Sequence, residues 1–416
     1  MKFFQDFRIM KVFVSLLLWA LVALACAAPK SPDKSEQTTI ATEPQKIVVG
    51  AERMDILLPK LKGKRVAIVA NQTSLVGNNH LVDTLLASGV KIIRVFAPEH
   101  GFRGDHSAGE KVKTTKDEKT GLAVQSLYGS TKKPSNEMIS EVDVLVFDIQ
   151  DVGARFYTYI STMHYVMEAA AENDKEVIIL DRPNPNGFYV DGPVLDTTFR
   201  SFVGMHPIPI VHGLTIGELA KMINGERWLK GGLTCKLEVI TCLNYTHESS
   251  YELPVRPSPN LPNQASIYLY PSLCLFEATA MSVGRGTDLP FQLIGYPSMP
   301  SGNVTFIPKD LPGIASKPDY MDVECKGHNL QEFGSVYFSA AKKLYFDWLV
   351  DSYKEYTGKG SFITKPDFFD KLAGTDQLRK QLESGKKVDE IRQSWAPGLD
   401  NYMKIRKKYL LYPDFQ

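Results

Sequence analysis

Between Arg65 and Cys242 the chain repeats one pattern, and that pattern restricts the fold more than anything else in the sequence. Short apolar runs alternate with runs of helical spacing. "RVAIVA" (65–70), "KIIRVFA" (91–97), "VDVLVFDIQ" (142–150), "EVIILD" (176–181) and "LTCKLEVITC" (233–242) read as strands. "HLVDTLLASG" (80–89), "TMHYVMEAAAEND" (162–174) and "TIGELAKMINGERWL" (215–229) read as helices. The last carries Thr215 and Glu218 at capping-box spacing. Nearly continuous apolar strands joined by helices predict an α/β domain: a Rossmann-like, doubly wound, mostly parallel sheet covered on both faces. No phosphate-loop signature, GxSxG run or dinucleotide glycine fingerprint accompanies these strands. No cofactor is expected.

In such sheets ligands bind at the carboxyl ends of the strands. Here those ends are polar. The first strand stops at Asn71 and Gln72, and the second at Pro98, Glu99 and His100. The third stops at Asp148 to Asp151, followed by "VGARFYTY" (152–159), and the fourth at Asp181, Arg182, Pro183 and Asn184. Any one tip reads as a polar turn; all four on one edge predict a functional cleft.

The remainder has another texture. Residues 251–295 are rich in Pro, Gly, Asn and aromatics, which predicts a long, ordered, functional loop region. Helices are expected over 334–356 and around 366–372 and 387–395. The chain therefore divides into a Rossmann-like domain (48–245) and a smaller α+β C-terminal domain (246–416), with a cleft between them. Before them, residues 1–26 read as a signal peptide: Lys2, Arg8 and Lys11 flank an apolar run too short for a standard membrane span. Ala25-Cys26-Ala27 fits ordinary cleavage, and Leu24-Ala25-Cys26 resembles a lipobox in which Cys26 is lipidated. Residues 27–47 then form a polar tether. These features predict export to the periplasm or cell envelope, with membrane attachment only through Cys26.

The 416 residues are 44% hydrophobic and 23% charged, ordinary for a soluble protein with a large core. A formal net charge of +1 gives no global field for nucleic acid. The basic group Lys404, Arg406, Lys407 and Lys408 reads as a solvated helix face. Cys235, Cys242, Cys274 and Cys325 have no CxxC spacing, so a zinc ribbon is not indicated.

The loop "PEHGFRG" (98–104) concentrates chemistry. A carboxyl such as Glu99, following an apolar strand and near Phe102, can be tuned by desolvation to act as a general acid. His100 can support it or be a packed loop histidine. Arg103 can hold a carboxylate with both arms. A metal set of Glu99, His100, Asp105 and His106 uses suitable ligand types, but its spacing matches no HExxH-type helix motif, and no metal is expected. In "VGRGTD" (283–288), Arg285 and Asp288 form either an internal ion pair or part of a ligand site.

Six stretches carry a resemblance: "FAPEHGFRG" (96–104), "VDVLVFDIQDVGARFYTYISTM" (142–163), "ILDRPNPNG" (179–187), "HGLTIGELA" (212–220), "PSPNLPN" (257–263) and "YPSLCLFEATAMSVGRGTDLPFQLIG" (270–295). In this order they resemble the NamZ-type exo-β-N-acetylmuramidases. The resemblance implies a glycoside hydrolase that removes N-acetylmuramic acid from the non-reducing end of peptidoglycan fragments, with Glu99 as catalytic acid. Such cleavage needs a second group to stabilise the oxocarbenium-like transition state. Asp148, Asp151, Glu277, Tyr157 and the substrate's own acetamido group are the candidates. Arg103, Arg155, Arg182 and Arg285 are candidate partners for the lactyl carboxylate. Tyr128, Tyr157 and Tyr159 can stack on a sugar or pack in the core, and Asn71 and Asn184 complete the candidate binding set.

Overall fold

The computed structural model describes residues 45–103 and 115–415. The signal segment, Cys26, nearly all of the tether, and Gly104, Asp105 and His106 lie outside the described residues. The chain enters through α1 (Met54–Leu61) and β1 (Arg65–Ala70). A small hairpin, β2 (Leu75–Val76) and β3 (Asn79–His80), leads to α2 (Leu81–Ala87) and β4 (Lys91–Ala97). Then come β5 (Thr115–Lys116), β6 (Ala123–Ser126) and the short α3 (Asn136–Ile139). β7 (Val144–Asp148), α4 (Tyr159–Glu172), β8 (Glu176–Leu180), α5 (Ile216–Gly225) and β9 (Lys236–Ile240) complete this half.

The main sheet has the order β5-β6-β4-β1-β7-β8-β9. Every neighbouring pair is parallel except β5–β6 at the edge. The chain winds outward from β1 through β4 to β6, then returns to the other side of β1 and winds out through β7, β8 and β9. That reversal is the doubly wound, Rossmann-like topology, and it opens a crevice at the carboxyl ends of the central strands. The β5–β6 pair escapes a pattern reading because both strands are short and partly polar.

Strand periodicity builds both layers. Val66, Ile68, Ala70, Val144, Val146, Ile178 and Leu180 share one core with Leu57 and Leu61 of α1 and Leu81, Val82 and Leu85 of α2. The alternate residues Ala67, Val69, Leu145, Phe147 and Ile179 are equally buried. On that side α4 packs on β7 and β8, and α5 on β8 and β9. The capping box of α5 forms as expected: the Glu218 N–H donates to Thr215 Oγ1, and the Thr215 N–H to Glu218 Oε2.

Asp181, just past β8, is completely buried. It accepts from the Tyr412 hydroxyl at 2.6 Å, the Thr215 hydroxyl at 2.7 Å and the Gly217 N–H at 2.8 Å. Burial pushes its pKa up to about 6, with the nearby Glu218 adding to the rise. The folded state thus holds this proton more tightly than the unfolded chain does. Its contribution is fully present below about pH 4 and is lost as pH rises through about 6. Denaturant titrations at pH 4 to 7 are expected to show wild type losing stability across that window relative to Asp181→Asn. Parallel pH curves for the two proteins would contradict this.

The second half contains α6 (Gln264–Leu273) and a 3-10 turn at Cys274–Ala278. A three-stranded antiparallel sheet follows, ordered β10-β12-β11, from β10 (Leu293–Tyr296), β11 (Val304–Phe306) and β12 (Cys325–Asn329). The last part is helical: α7 (Phe338–Ala341), α8 (Asp347–Glu355), α9 (Pro366–Ala373), α10 (Gln377–Glu383) and α11 (Val388–Arg406). This is the smaller α+β region expected from the sequence.

Three expectations need correction. The helix expected over 334–356 is interrupted between α7 and α8. Lys342 takes a left-handed φ of 45° there, and the Leu344 and Tyr345 N–H groups donate to Asp191 and Ser272 instead of to a helix. The final helix is longer than 387–395. Arg406, expected on a solvated face, is buried against Asp414 and the Gly213 carbonyl, while Lys404, Lys407 and Lys408 are exposed. Cys235, Cys242, Cys274 and Cys325 are all free and buried.

Candidate active site

Two strand tips and one wall from the second half make a cavity. Beyond β4, Pro98 to Gly101 form a tight turn closed by the Gly101 N–H on the Pro98 carbonyl. His100 adopts φ 70° and Gly101 φ 80°. A non-glycine residue at positive φ is strained, and such strain concentrates at functional sites. This turn leaves Glu99 half-buried and His100 buried. His100 Nε2 lies 3.2 Å from Ser258 Oγ.

Beyond β7 the chain runs through Gly153 into α4. A Cβ at Gly153 would fall 2.2 Å from Asn184 Oδ1, and its φ is +77°, so only glycine fits this turn. The turn delivers Phe156, Tyr157, Thr158 and Tyr159 to the cavity. Tyr157 donates to the Pro257 carbonyl at 2.7 Å, and Gln72 reaches the same carbonyl at 3.2 Å. These bonds hold the "PSPNLPN" segment against the first half, where Ser258, Asn260 and Leu261 join the lining.

The opposite wall comes from α6, the 3-10 turn and the following loop. Tyr270, Cys274, Glu277, Arg285 and Phe291 line it, with Phe368 and Leu372 of α9. Arg285 Nε donates to Glu277 Oε1 at 2.6 Å, and its guanidinium lies 5.0 Å over the Phe291 ring. The rings interlock edge to face: Tyr157 with Tyr159 at 4.8 Å, and Tyr270 with Phe291 at 4.9 Å. Burial raises the Tyr157, Tyr159 and Tyr270 pKa values, so their hydroxyls stay protonated. The lining bounds about 630 Å³ of atom-free space, a figure that includes the solvent at its open mouth.

Glu99 sits at the amino end of α4. Thr158 Oγ1 donates to Glu99 Oε2 at 3.0 Å. The Tyr128 hydroxyl lies near the Glu99 carboxyl, and burial, with that charge beside it, raises its pKa. The positive end of the helix dipole adds to the Thr158 bond.

The sequence-derived candidates therefore separate into two groups. Glu99, His100, Tyr157, Tyr159, Glu277 and Arg285 share one lining, with Tyr128 near Glu99. The others are not on this lining. Asp148 is fully buried in a two-armed ion pair with Arg182, at 2.6 and 2.9 Å. Asn71 folds onto its own turn, accepting from Thr73. Asp151 accepts from the Gly153 N–H and lies 3.6 Å from His212. Asn184 donates to the Leu214 carbonyl. Arg155 is wholly buried, donating to the Pro193, Ile208 and Leu372 carbonyls. Burial pulls its pKa down to about 9. Arg103 pairs with Asp117 at 3.1 Å and lies over the Phe102 ring. Asp288 is exposed, and the ion partner of Arg285 is Glu277 rather than Asp288. Ser258, Asn260, Tyr270 and Thr158 are lining residues that motif reading did not single out. Thr158 falls in the "VGARFYTY" run ahead of the helix expected from 162, and none of the four carries a charge to draw notice.

Two carboxyls, a guanidinium and a wall of rings around one half-open cavity are the equipment of a sugar-cleaving hydrolase. The comparisons with known proteins agree. Residues 66–265 match the family model for the N-terminal part of exo-β-N-acetylmuramidase NamZ, and residues 268–412 match its C-terminal part. The chain is 40% identical to the peptidoglycan β-N-acetylmuramidase NamZ of Bacillus subtilis strain 168, over 96% of this chain and 99% of that one. Two crystal structures of DUF1343 family proteins from Bacteroides fragilis NCTC 9343 share the fold. One superposes with a TM-score of 0.82 at 48% identity, covering 89% of this chain and all of that one. The other has a TM-score of 0.73 at 31% identity, covering 88% and 99%. This chain belongs to the NamZ family of glycoside hydrolases.

Proposed function

We propose that this protein is an exo-acting β-N-acetylmuramidase that releases N-acetylmuramic acid from the non-reducing end of peptidoglycan fragments, with Glu99 as general acid. The observation that carries this reading is the setting of Glu99, a half-buried carboxyl on the cavity lining, held by the Thr158 hydroxyl with Tyr128 nearby. Glu99 protonates the leaving glycosidic oxygen as the bond to C1 breaks. Water adds to C1. Glu277 is the second carboxylate of the same lining and replaces Asp148 as the candidate for steadying the positive charge on the sugar, since Asp148 is committed to Arg182. The rings of Tyr157, Tyr159 and Tyr270 give the sugar an aromatic wall, with the Tyr157 hydroxyl held by the Pro257 carbonyl.

Of the four arginines considered for the lactyl carboxylate, only Arg285 lines the cavity. Its Nε is held by Glu277, which fixes the plane of the guanidinium fork for a carboxylate. Arg285→Lys is expected to raise KM for a β-N-acetylmuramide about tenfold while changing turnover of the matching β-N-acetylglucosaminide less than twofold, a difference of ~1.4 kcal/mol. Equal losses on the two sugars would remove Arg285 from lactyl recognition. A signal peptide, with or without lipidation at Cys26, delivers the enzyme to a substrate that lies outside the cytoplasm. Labelling with a radioactive fatty acid, compared between wild type and Cys26→Ala, tests the anchor.

A further inference from the structure

We propose that Thr158 is a positioning residue for the reaction, its hydroxyl deciding which oxygen of Glu99 carries the proton. This rests on Glu99 being the acid. Thr158 stands at the amino end of α4, where a threonine hydroxyl ordinarily accepts from a free helix N–H. It does not do so here. Its backbone is already helical, with φ −73° and ψ −7°, and its side chain makes no capping bond. The hydroxyl proton goes instead to Glu99 Oε2, across 59 residues of chain. Glu99 follows β4 and Thr158 follows β7, the two strands on either side of β1. The bond therefore ties together the two sides of the crevice. The Tyr159 hydroxyl, 3.4 Å from the Glu99 carbonyl oxygen, steadies the backbone of the same residue.

The consequence follows from the donor count of a carboxyl. A neutral carboxyl has one hydroxyl oxygen and one carbonyl oxygen. With Thr158 donating to Oε2, Oε2 is the acceptor and Oε1 bears the proton. That proton passes from Oε1 to the glycosidic oxygen, which leaves with the electron pair of its bond to C1. Water supplies the hydroxyl at C1, and its remaining proton restores the carboxyl. Once the proton has gone, Thr158 donates to a charged oxygen, and such a bond is stronger than a neutral one. The hydroxyl thus favours the transition state over the resting acid.

The test compares Thr158→Val, which keeps the shape and removes the donor, with Thr158→Ser, which keeps the donor. Purified proteins are assayed on a chromogenic β-N-acetylmuramide over a range of pH, with Glu99→Gln beside them. For Thr158→Val the expected result is a kcat lower by about 10- to 100-fold with KM within twofold. The basic limb of its rate profile should move up by roughly half a pH unit or more. Its Tm should be unchanged, because no helix cap is lost, and Thr158→Ser should recover most of the rate. Wild-type kcat and profile in Thr158→Val, with Glu99→Gln inactive, would overturn the role of Thr158 and leave Glu99 standing. A fall in both Tm and kcat that serine does not rescue would reduce Thr158 to a structural residue. Wild-type activity in Glu99→Gln would remove the acid itself.

Discussion

Glu99→Gln is expected to lower kcat on a β-N-acetylmuramide by about 10²–10⁴-fold, the usual worth of a positioned general acid. The amide keeps the size of the carboxyl, and its carbonyl oxygen can still accept from Thr158. Folding should therefore be intact, with Tm within a degree or two of wild type and KM changed little. The loss should be smallest for substrates with a good leaving group, such as a nitrophenol, which needs little protonation. A substrate with an ordinary sugar as leaving group should show the full effect. Equal losses on both would point to a role for Glu99 other than proton donation.

Arg182→Leu is expected to act on stability and not on specificity. Arg182 and Asp148 form a two-armed pair with almost no solvent exposure. Removing one partner leaves an uncompensated charge in the core, which costs about 3–5 kcal/mol. Tm should fall by roughly 5 °C or more, and urea denaturation should show the same loss. The double variant Asp148→Leu with Arg182→Leu should regain much of it, because apolar replacements of a buried pair are often neutral. If Arg182 instead held the substrate, the single variant would keep its Tm and raise KM. Chemical denaturation and kinetics on one preparation separate these outcomes.

The contrast between Glu99 and Arg182 shows what could be read from the sequence. The alternation of apolar strands and helices encodes the sheet, because each strand must bury both faces. Parallel strands then gather their tips on one edge, so Asn71, Glu99, Asp148 and Asp181 were bound to be neighbours in space. Which tip residues face a ligand is a different matter. A charged residue at a tip can meet a substrate, a buried counter-ion or a backbone carbonyl, and one-dimensional spacing does not distinguish these. Arg182 found Asp148, Arg155 found three carbonyls, and Arg103 found Asp117. Only Arg285 came to the cavity, through a 3-10 turn that sets Glu277 beside it. Thr158 shows the reverse failure. It lies between the third strand and the helix expected from 162, where nothing marks it, and only the three-dimensional approach of β4 gives its hydroxyl the Glu99 acceptor. The break after α7 was equally invisible, because it depends on Asp191 and Ser272, far away in the chain.

The most direct test is to incubate the purified protein with a synthetic disaccharide of N-acetylmuramic acid β-linked to N-acetylglucosamine, and to separate the products by chromatography. Wild type should release equimolar N-acetylmuramic acid and N-acetylglucosamine and Glu99→Gln almost none, with the isomer carrying N-acetylglucosamine at the non-reducing end cleaved far more slowly. Cleavage of that isomer instead, or release by Glu99→Gln at the wild-type rate, would contradict it.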